Sequence, residues 1–190
     1  MGDGETLRVA VIIGSTRDGR VGPAVGAWFT GAARRRDDMA VTLVDLADFE
    51  LPSRLPDTAT APMVEFAARI RWADAFVVVT PEYNRSFPAS LKQAIDVAYD
   101  EWHAKPAGFV SYGFRSAGLY AVEQLRGVFT ELHVVTMRDT VSFNLLDDGV
   151  EGGRPPPSEA LDRAVTAMLD QLAWWGCALR SARTTCPYVC

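Results

Sequence analysis

The chain has 190 residues, 48% of them hydrophobic, and a formal net charge of −5. This length and apolar content suit one domain with a packed interior and argue against disorder. Acids and bases are interspersed, so the chain lacks the basic face that nucleic-acid binding requires.

No apolar run approaches the roughly 20 residues of a membrane-spanning helix. Residues 1–6 are polar and acidic, unlike a secretory signal, so we expect a cytoplasmic protein that binds no membrane. The cysteines, Cys177, Cys186 and Cys190, are odd in number and lie near one end, so they are not a disulfide framework. Nothing completes a zinc set around them, so we expect no metal and leave the role of Cys186 and Cys190 open.

Strand and helix patterns alternate from the start of the chain. Leu7–Ile13 is an apolar run typical of a buried strand, and residues 21–29 follow with helical spacing. Val41–Leu46 predicts a second strand, and the proline-rich stretch Pro52–Pro62 predicts a loop.

The middle of the chain repeats this alternation. Ala75–Thr80 is the most apolar run and predicts the third strand. Before it, Met63–Trp72 predicts a helix with four inward residues, Val64, Phe66, Ala67 and Ile70. After it, a second helical face comprises Leu91, Ala94, Ile95 and Ala98.

The last third predicts two more strands, each followed by a helix. Gly108–Tyr112 is the fourth strand and His133–Met137 the fifth, with an extension toward Val141 left open. Gly149–Pro157 is a loop, after which Ser158 caps the last helix. The buried faces comprise Leu119, Val122, Leu125, Val128 and Phe129 in the first helix, and Leu161, Ala164, Val165, Met168, Leu169 and Leu172 in the second.

Five apolar strands, each followed by a helix, indicate a parallel sheet covered on both faces. We predict an α/β fold: a single-domain, flavodoxin-like three-layer sandwich with a five-stranded parallel sheet of order 2-1-3-4-5. The domain would span residues 1–190, with a core at about 7–176 and a tail, 177–190, that the pattern leaves unassigned.

Ligands of such sheets bind beyond the carboxyl ends of the strands, where strand order reverses. For this order that point lies between the first and third strands. Three loops reach it: Gly14–Gly22, Pro81–Ala89 and Gly113–Gly118.

The first loop has the composition of a phosphate site. It opens onto a helix, whose first amides favour an anion. Ser15 carries a hydroxyl donor, and Arg17 and Arg20 carry forked cationic donors. A dinucleotide fingerprint needs glycine at its third position, where this loop has Thr16, and the loop also lacks the ending of a P-loop. A phosphate of another kind, or an ordinary strand-to-helix turn, remain the alternatives.

The other two loops offer groups suited to a heterocycle. Tyr83 supplies a flat ring and Asn84 both donors and acceptors. Glu82 is either a solvated carboxylate or an acid–base group, and Tyr112 packs either on a ligand or on the core. The two histidines, His103 and His133, are read as structural, and no catalytic triad is evident. A cofactor that brings its own reactivity therefore suits this chain.

Three stretches, "GSTRDGRVG", "TPEYNRSFPASLKQAID" followed by "EW", and "KPAGFVSYG" followed by "EQLR", carry a resemblance. In their order and spacing the chain resembles the NADPH-dependent FMN reductase family of small flavodoxin-like quinone, azo and chromate reductases. The resemblance covers most of residues 7–132.

The resemblance implies a residue set for FMN. The phosphate would be held by Ser15, Arg17, Arg20, Val21 and Gly22. The isoalloxazine ring would be lined, largely through backbone groups, by Pro81, Glu82, Tyr83 and Asn84. The ribityl side would be met by Ser111, Tyr112 and Gly113. A departure follows the last of these, since Phe114 stands where the family has a flexible turn, and this bears on substrate access.

The resemblance also implies an activity. FMN would take hydride at N5 from NADPH or NADH and pass electrons to free flavin, a quinone or another small electrophile, with no catalytic residue from the protein. The alternatives are a specialised member that acts on one metabolite or supplies reduced FMN to a partner monooxygenase, and a flavodoxin-like electron carrier. Homodimers or homotetramers are implied, with interface candidates Leu91, Ile95, Tyr99 and Trp102; for Leu91 and Ile95 a core role is the alternative.

Arg20→Ala should weaken FMN binding by about 1–3 kcal/mol, the scale of a hydrogen bond to a charged group. Fluorescence titration of the variant beside the unsubstituted protein measures this loss. Equal affinities would remove Arg20 from the site.

Overall fold

The computed structural model describes residues 6–146 and 150–189. Strands and helices alternate along them, with short 3-10 turns after the second strand and the third helix. In chain order the elements are β1 (Leu7–Ile13), α1 (Gly22–Ala33), β2 (Met39–Asp45), α2 (Ala61–Trp72), β3 (Ala75–Pro81), α3 (Ala89–Val97), β4 (Pro106–Gly113), α4 (Leu119–Glu131), β5 (Val135–Thr136), β6 (Val141–Asn144) and α5 (Glu159–Thr185).

The strands form one parallel sheet of order β2-β1-β3-β4-β5, which confirms the predicted order. The last position in the sheet is shared by two short strands. β5 pairs with the start of β4 and β6 with its end, where Tyr112 lies opposite Phe143. The predicted fifth strand, His133–Met137, is therefore in the right place but shorter, and the extension toward Val141 that was left open is a separate strand.

Arg126 of α4 explains why this edge strand is interrupted. Its guanidinium donates to the carbonyl oxygens of Met137 and Arg138, at 2.6 and 2.9 Å. A further bond reaches the hydroxyl of Thr136, at 3.2 Å. Because a side chain satisfies these groups, the backbone can leave the ladder without stranding polar atoms.

Two apolar layers cover the sheet. Helices α2, α3 and α4 pack on one face, where Phe66, Ile95 and Phe129 are fully buried. Helices α1 and α5 pack on the other, around Phe29 and Met168. Both faces of β3 are buried along its whole length, as its apolar sequence predicts.

Two predicted inward residues point to solvent. Val64 is 57% exposed, and Met63 takes its place in the buried stripe with Phe66 and Ile70. Positions 63, 66 and 70 follow helical spacing, so only the first position of the predicted buried face was wrong, by one residue. Leu119 is also exposed, because it lies in the first turn of α4 at the rim of the sheet.

Three of the four interface candidates are core residues. Leu91, Ile95 and Trp102 are at most 1% exposed, and the indole N–H of Trp102 donates to the carbonyl of Ile95 at 3.0 Å. They cannot form a surface in this chain, so the predicted interface role was wrong for these three, while the alternative core role of Leu91 and Ile95 is confirmed. Tyr99 is exposed.

Helix α5 begins after Ser158, whose side chain accepts from the backbone N–H of Leu161 as predicted, and continues to Thr185. Its last turns are anchored by Asp74, which directly precedes β3 and is almost fully buried. Arg8 binds both oxygens of Asp74 at 3.0 Å. Arg180 and Arg183 approach them at 3.4 and 3.5 Å.

Burial alone would raise the pKa of Asp74, but the hydrogen bonds from Arg8 and the charge of Arg180 hold it below its ordinary value. A carboxyl with a lowered folded-state pKa stabilises the fold above its unfolded pKa of about 3.9. That stabilisation disappears as pH falls through the folded value.

Asp74→Asn should lower the free energy of unfolding at pH 7 by about 3–5 kcal/mol, since guanidinium groups lose a buried counter-charge. The difference from the unsubstituted protein should shrink as pH falls through the folded-state pKa of Asp74, because the carboxyl becomes protonated in both states. Urea unfolding over a series of pH values from 7 downward measures both effects. A loss that does not change with pH would contradict the assignment.

Candidate flavin site at the carboxyl edge of the sheet

The first loop leaves β1 under a tight backbone constraint. The N–H of Gly14 donates to the carbonyl of Val79 in β3 at 2.9 Å, and the hydroxyl of Ser90 donates to the carbonyl of Gly14 at 3.1 Å. A side chain at this position would come within 2.9 Å of Leu91. Glycine therefore lets the loop pass close to the start of α3.

Arg20 folds the first loop against the end of β2. Its guanidinium makes two hydrogen bonds with the carboxylate of Asp45, at 2.6 and 2.8 Å, and a third with the carbonyl of Ser15, at 2.8 Å. The bonds with Asp45 raise the pKa of Arg20, against the opposing effect of burial. Arg20 is thus held by the protein itself, while its Nε–H makes no hydrogen bond to the described residues.

Arg17 differs from Arg20. It is exposed, and its guanidinium makes no ion pair or hydrogen bond within residues 6–146 and 150–189. Of the backbone amides from Arg17 to Val21, only that of Arg20 donates to another described residue. Helix α1 also begins without a side-chain cap at Val21. A cation, unpaired amides and the positive end of a helix are therefore gathered in one short loop.

The second loop is a two-residue turn. Tyr83 and Ser86 exchange backbone hydrogen bonds of 2.8 and 3.0 Å, and Asn84 and Arg85 between them have φ values of 51° and 65°. Asn tolerates this left-handed region, but Arg seldom adopts it.

Helix α4 holds the strained turn in place. The side-chain amide of Gln124 donates to the carbonyl of Arg85 at 2.7 Å and its oxygen accepts from the hydroxyl of Ser86 at 2.6 Å. The guanidinium of Arg85 lies 3.9 Å from the ring centroid of Tyr120.

Glu82 acts as a cap for α4. Its carboxylate accepts from the hydroxyl of Ser116 at 2.6 Å and from the backbone N–H of Tyr120 at 3.1 Å. A carboxylate at a helix N-terminus is favourably placed. Glu82 is therefore held by the protein rather than freely solvated, which was one of its two predicted alternatives.

In the third loop, Ser111 is bound within the protein. Its hydroxyl donates to the carbonyl of Ala117 at 2.9 Å and lies 2.8 Å from the hydroxyl of Ser142 in β6. Gly113 packs so closely on the backbone of Gly118 that a side chain would approach within 3.1 Å.

A cavity of about 250 Å³ lies between the three loops. Eight of the twelve predicted site residues line it: Arg17, Arg20, Val21, Pro81, Glu82, Tyr83, Tyr112 and Gly113. The other four, Ser15, Gly22, Asn84 and Ser111, stand beside it. Three wall residues were absent from the predicted set: Gly19, Phe114 and Leu145. Phe114 was signalled by its departure from the family pattern, whereas Leu145 gave no local signal because it arrives from the end of β6.

Two contacts tie the walls together. The hydroxyls of Ser15 and Tyr83 share a hydrogen bond of 2.9 Å between the first and second loops. The backbone N–H of Glu82 donates to the carbonyl of Tyr112 at 3.0 Å, between the second and third. Because the amide of Tyr83 is used in its own turn, few backbone donors of this loop are left for a ligand.

Tyr112 carries an orphaned polar atom. Its side chain is buried, its ring stacks on Phe143 at 6.2 Å, and its hydroxyl finds no hydrogen-bond partner among the described residues. Burial and the neighbouring Tyr83 raise the pKa of this hydroxyl. A buried hydroxyl without a partner is costly, so a group that bound at this wall and formed a hydrogen bond with Tyr112 would relieve that cost.

The two histidines lie away from this cavity, near the amino ends of β4 and β5. Their rings stack at 5.3 Å, and His133 shares a hydrogen bond of 2.8 Å with the hydroxyl of Tyr188. These contacts fit the predicted structural role. Within the described residues no helix has the length and apolarity to cross a membrane.

The chain is similar to known flavin reductases. Residues 7–146 match the family described as NADPH-dependent FMN reductase. An NAD(P)H-dependent FMN reductase of Schizosaccharomyces pombe is 34% identical over 166 residues, 77% of this chain and 82% of that protein. A 2-hydroxy-1,4-benzoquinone reductase of Burkholderia sp is 28% identical over 181 residues, 89% of this chain and 96% of that protein.

The fold has solved counterparts. The flavoenzyme NAD(P)H:(acceptor) oxidoreductase FerB of Paracoccus denitrificans superposes with a TM-score of 0.72. The comparison covers 90% of this chain and 97% of that one at 23% identity, so it bears on the fold alone.

Tyr112→Phe should leave the free energy of unfolding of the flavin-free protein unchanged or raise it by up to about 1 kcal/mol, because a buried unpartnered hydroxyl is removed. Urea unfolding after removal of flavin provides the measurement. A loss of more than about 1 kcal/mol would show that the hydroxyl has a protein partner.

Proposed function

Since this chain belongs to the NADPH-dependent FMN reductase family and is an NAD(P)H-dependent oxidoreductase that uses FMN, we propose that the cavity between its three loops holds that flavin. The observation that carries this proposal is the set of unused donors around one cavity. Among the described residues they are the guanidinium of Arg17, the unpaired amides of the first loop and the hydroxyl of Tyr112.

The phosphate of FMN binds at the start of α1 in this proposal. Arg17 supplies charge, and the amides of Asp18, Gly19 and Val21 supply donors. Arg20 keeps the loop closed through Asp45, and its Nε–H remains for the ligand. Ser15 and Gly22 shape the loop, since one is bonded to Tyr83 and the other packs against Ile13.

The ring of the flavin lies toward the second and third loops. Pro81, Tyr83 and Gly113 provide a flat, close-packed wall, and Asn84 holds the turn beside it. The hydroxyl of Tyr112, which has no partner among the described residues, belongs to the same wall. Because these groups are already fixed by hydrogen bonds to one another, the site needs little reorganisation on binding.

FMN, when bound, supplies the redox chemistry, taking hydride from NADPH or NADH and passing electrons to an acceptor. The described residues of the cavity bind, orient and exclude water. Glu82 is the only carboxylate among the described wall residues, and one of its oxygens already accepts from the hydroxyl of Ser116 and the backbone N–H of Tyr120. No proton transfer by a side chain is therefore assigned.

The mouth of the cavity favours a flat apolar acceptor. Phe114 lines the cavity yet is 61% exposed, and Leu145 lies in the same wall. An exposed aromatic ring beside a flavin suits stacking on a planar electrophile. A quinone or free flavin is the acceptor class that we propose.

We further propose that the protein acts in the cytoplasm as a homo-oligomer. Cys177 and Cys186 are free thiols, which suits a reducing compartment. Tyr99 is the one interface candidate that is exposed among the described residues.

Arg17→Ala should raise the dissociation constant of FMN by roughly 10- to 100-fold, the equivalent of about 1.5–3 kcal/mol for a charged hydrogen bond. The affinity for riboflavin, which lacks the phosphate, should stay unchanged. In the variant and in the unsubstituted protein, the rate of NADPH oxidation with a quinone acceptor should follow the fraction of protein that holds FMN.

Arg34→Ala is the matched control, because it removes the same charge at the opposite end of α1. Flavin fluorescence titration and NADPH absorbance give the two measurements. Failure of the unsubstituted protein to bind FMN, or equal FMN affinities in both arginine variants, would contradict the proposed site.

A further inference from the structure

Residues 150–157, here called the strap, lead into α5 and lie outside the part of the chain that matches the family. The strap contains a tight turn. Glu151 and Arg154 exchange backbone hydrogen bonds of 3.2 and 3.0 Å. Between them, Gly152 and Gly153 have φ values of 58° and 90°. Two successive residues with positive φ make glycine the suitable residue at each.

The two glycines differ in what they touch. A Cβ atom at Gly153 would lie 2.7 Å from the Cβ of Val21 and 2.9 Å from its carbonyl oxygen, with Ala24 at 3.3 Å. A Cβ atom at Gly152 would meet nothing within 4 Å. Gly153 is buried and Gly152 exposed, so only the second glycine of the turn is in close contact with α1.

Val21 is the residue through which this contact reaches the flavin cavity. It is the N-cap of α1, and its carbonyl accepts from the amides of Ala24 and Val25 at 3.0 and 3.2 Å. It also lines the cavity. A displacement of Val21 therefore moves the first turn of the helix and the amides that precede it.

The strap is fixed on both sides of the turn. Val150 packs against the apolar layer beneath α1 and α5, and Pro155 is buried. Ser158 then caps α5. A turn anchored at both ends acts as a firm support rather than a loose loop.

We propose that Gly153 is a positioning residue for the phosphate of FMN: the strap supports Val21 from behind and thereby sets the first turn of α1. This assignment rests on the proposed function and adds a residue that makes no contact with the flavin cavity. Its specific consequence is that the strap influences recognition of the phosphate and not of the ring.

The test compares Gly153→Ala with Gly152→Ala, two adjacent substitutions that both force alanine into a positive φ. Only the first also pushes on Val21. Titration of flavin fluorescence gives dissociation constants for FMN and for riboflavin in each protein. Gly153→Ala should raise the FMN constant roughly tenfold or more, the effect of losing about one charged hydrogen bond, and leave the riboflavin constant within about twofold. Gly152→Ala should change neither.

Three results would overturn the proposal or its premise. Equal effects of the two glycine variants would remove the role of the contact. Equal weakening of FMN and riboflavin by Gly153→Ala would indicate general damage rather than positioning. Equal affinity of the unsubstituted protein for FMN and riboflavin would overturn the phosphate site itself.

Pro155→Ala serves as a milder variant should Gly153→Ala fail to fold. It loosens the buried part of the strap without a new contact on Val21. A loss of FMN affinity that is smaller than that expected of Gly153→Ala but still exceeds the loss of riboflavin affinity supports the proposal. An unchanged ratio of the two dissociation constants overturns it.

Discussion

The register of three neighbouring parallel strands is the constraint on which the site depends. Ile13 of β1 lies opposite Val79 of β3, and Pro81 of β3 lies opposite Tyr112 of β4. The loops that follow these three strands therefore leave the sheet at the same edge, within hydrogen-bonding reach of one another. Since strand order reverses between β1 and β3, their following helices pack on opposite faces, and a crevice opens between the loops.

The loops use most of their polar atoms to hold one another. Ser15 bonds to Tyr83, Arg20 to Asp45, and Glu82 to the start of α4. These side chains build the frame of the candidate site, and a smaller set of groups whose donors have no partner among the described residues lies around the cavity. The division has a physical basis, because a charged ligand is best held by groups that do not have to move when it arrives.

Support for the crevice also comes from elements distant in sequence. The strap, which precedes α5, contacts the start of α1, and Leu145 enters the cavity wall from the end of β6. Just before β3, Asp74 forms ion pairs with both Arg8 of β1 and Arg180 of α5. Such contacts fix α5 over the same apolar layer that α1 uses.

The sequence by itself determined the succession of strands and helices along the chain and the positions of the three loops, because apolar periodicity and glycine-rich turns are local signals. It also supplied the residue types of the candidate flavin site. Only the tertiary structure decided which of them remain available: within the described residues Arg17 has no partner while Arg20 is held by Asp45, and Leu91 and Trp102 are core rather than surface. The reason is that pairing and burial depend on partners far away in the chain, which no local pattern specifies.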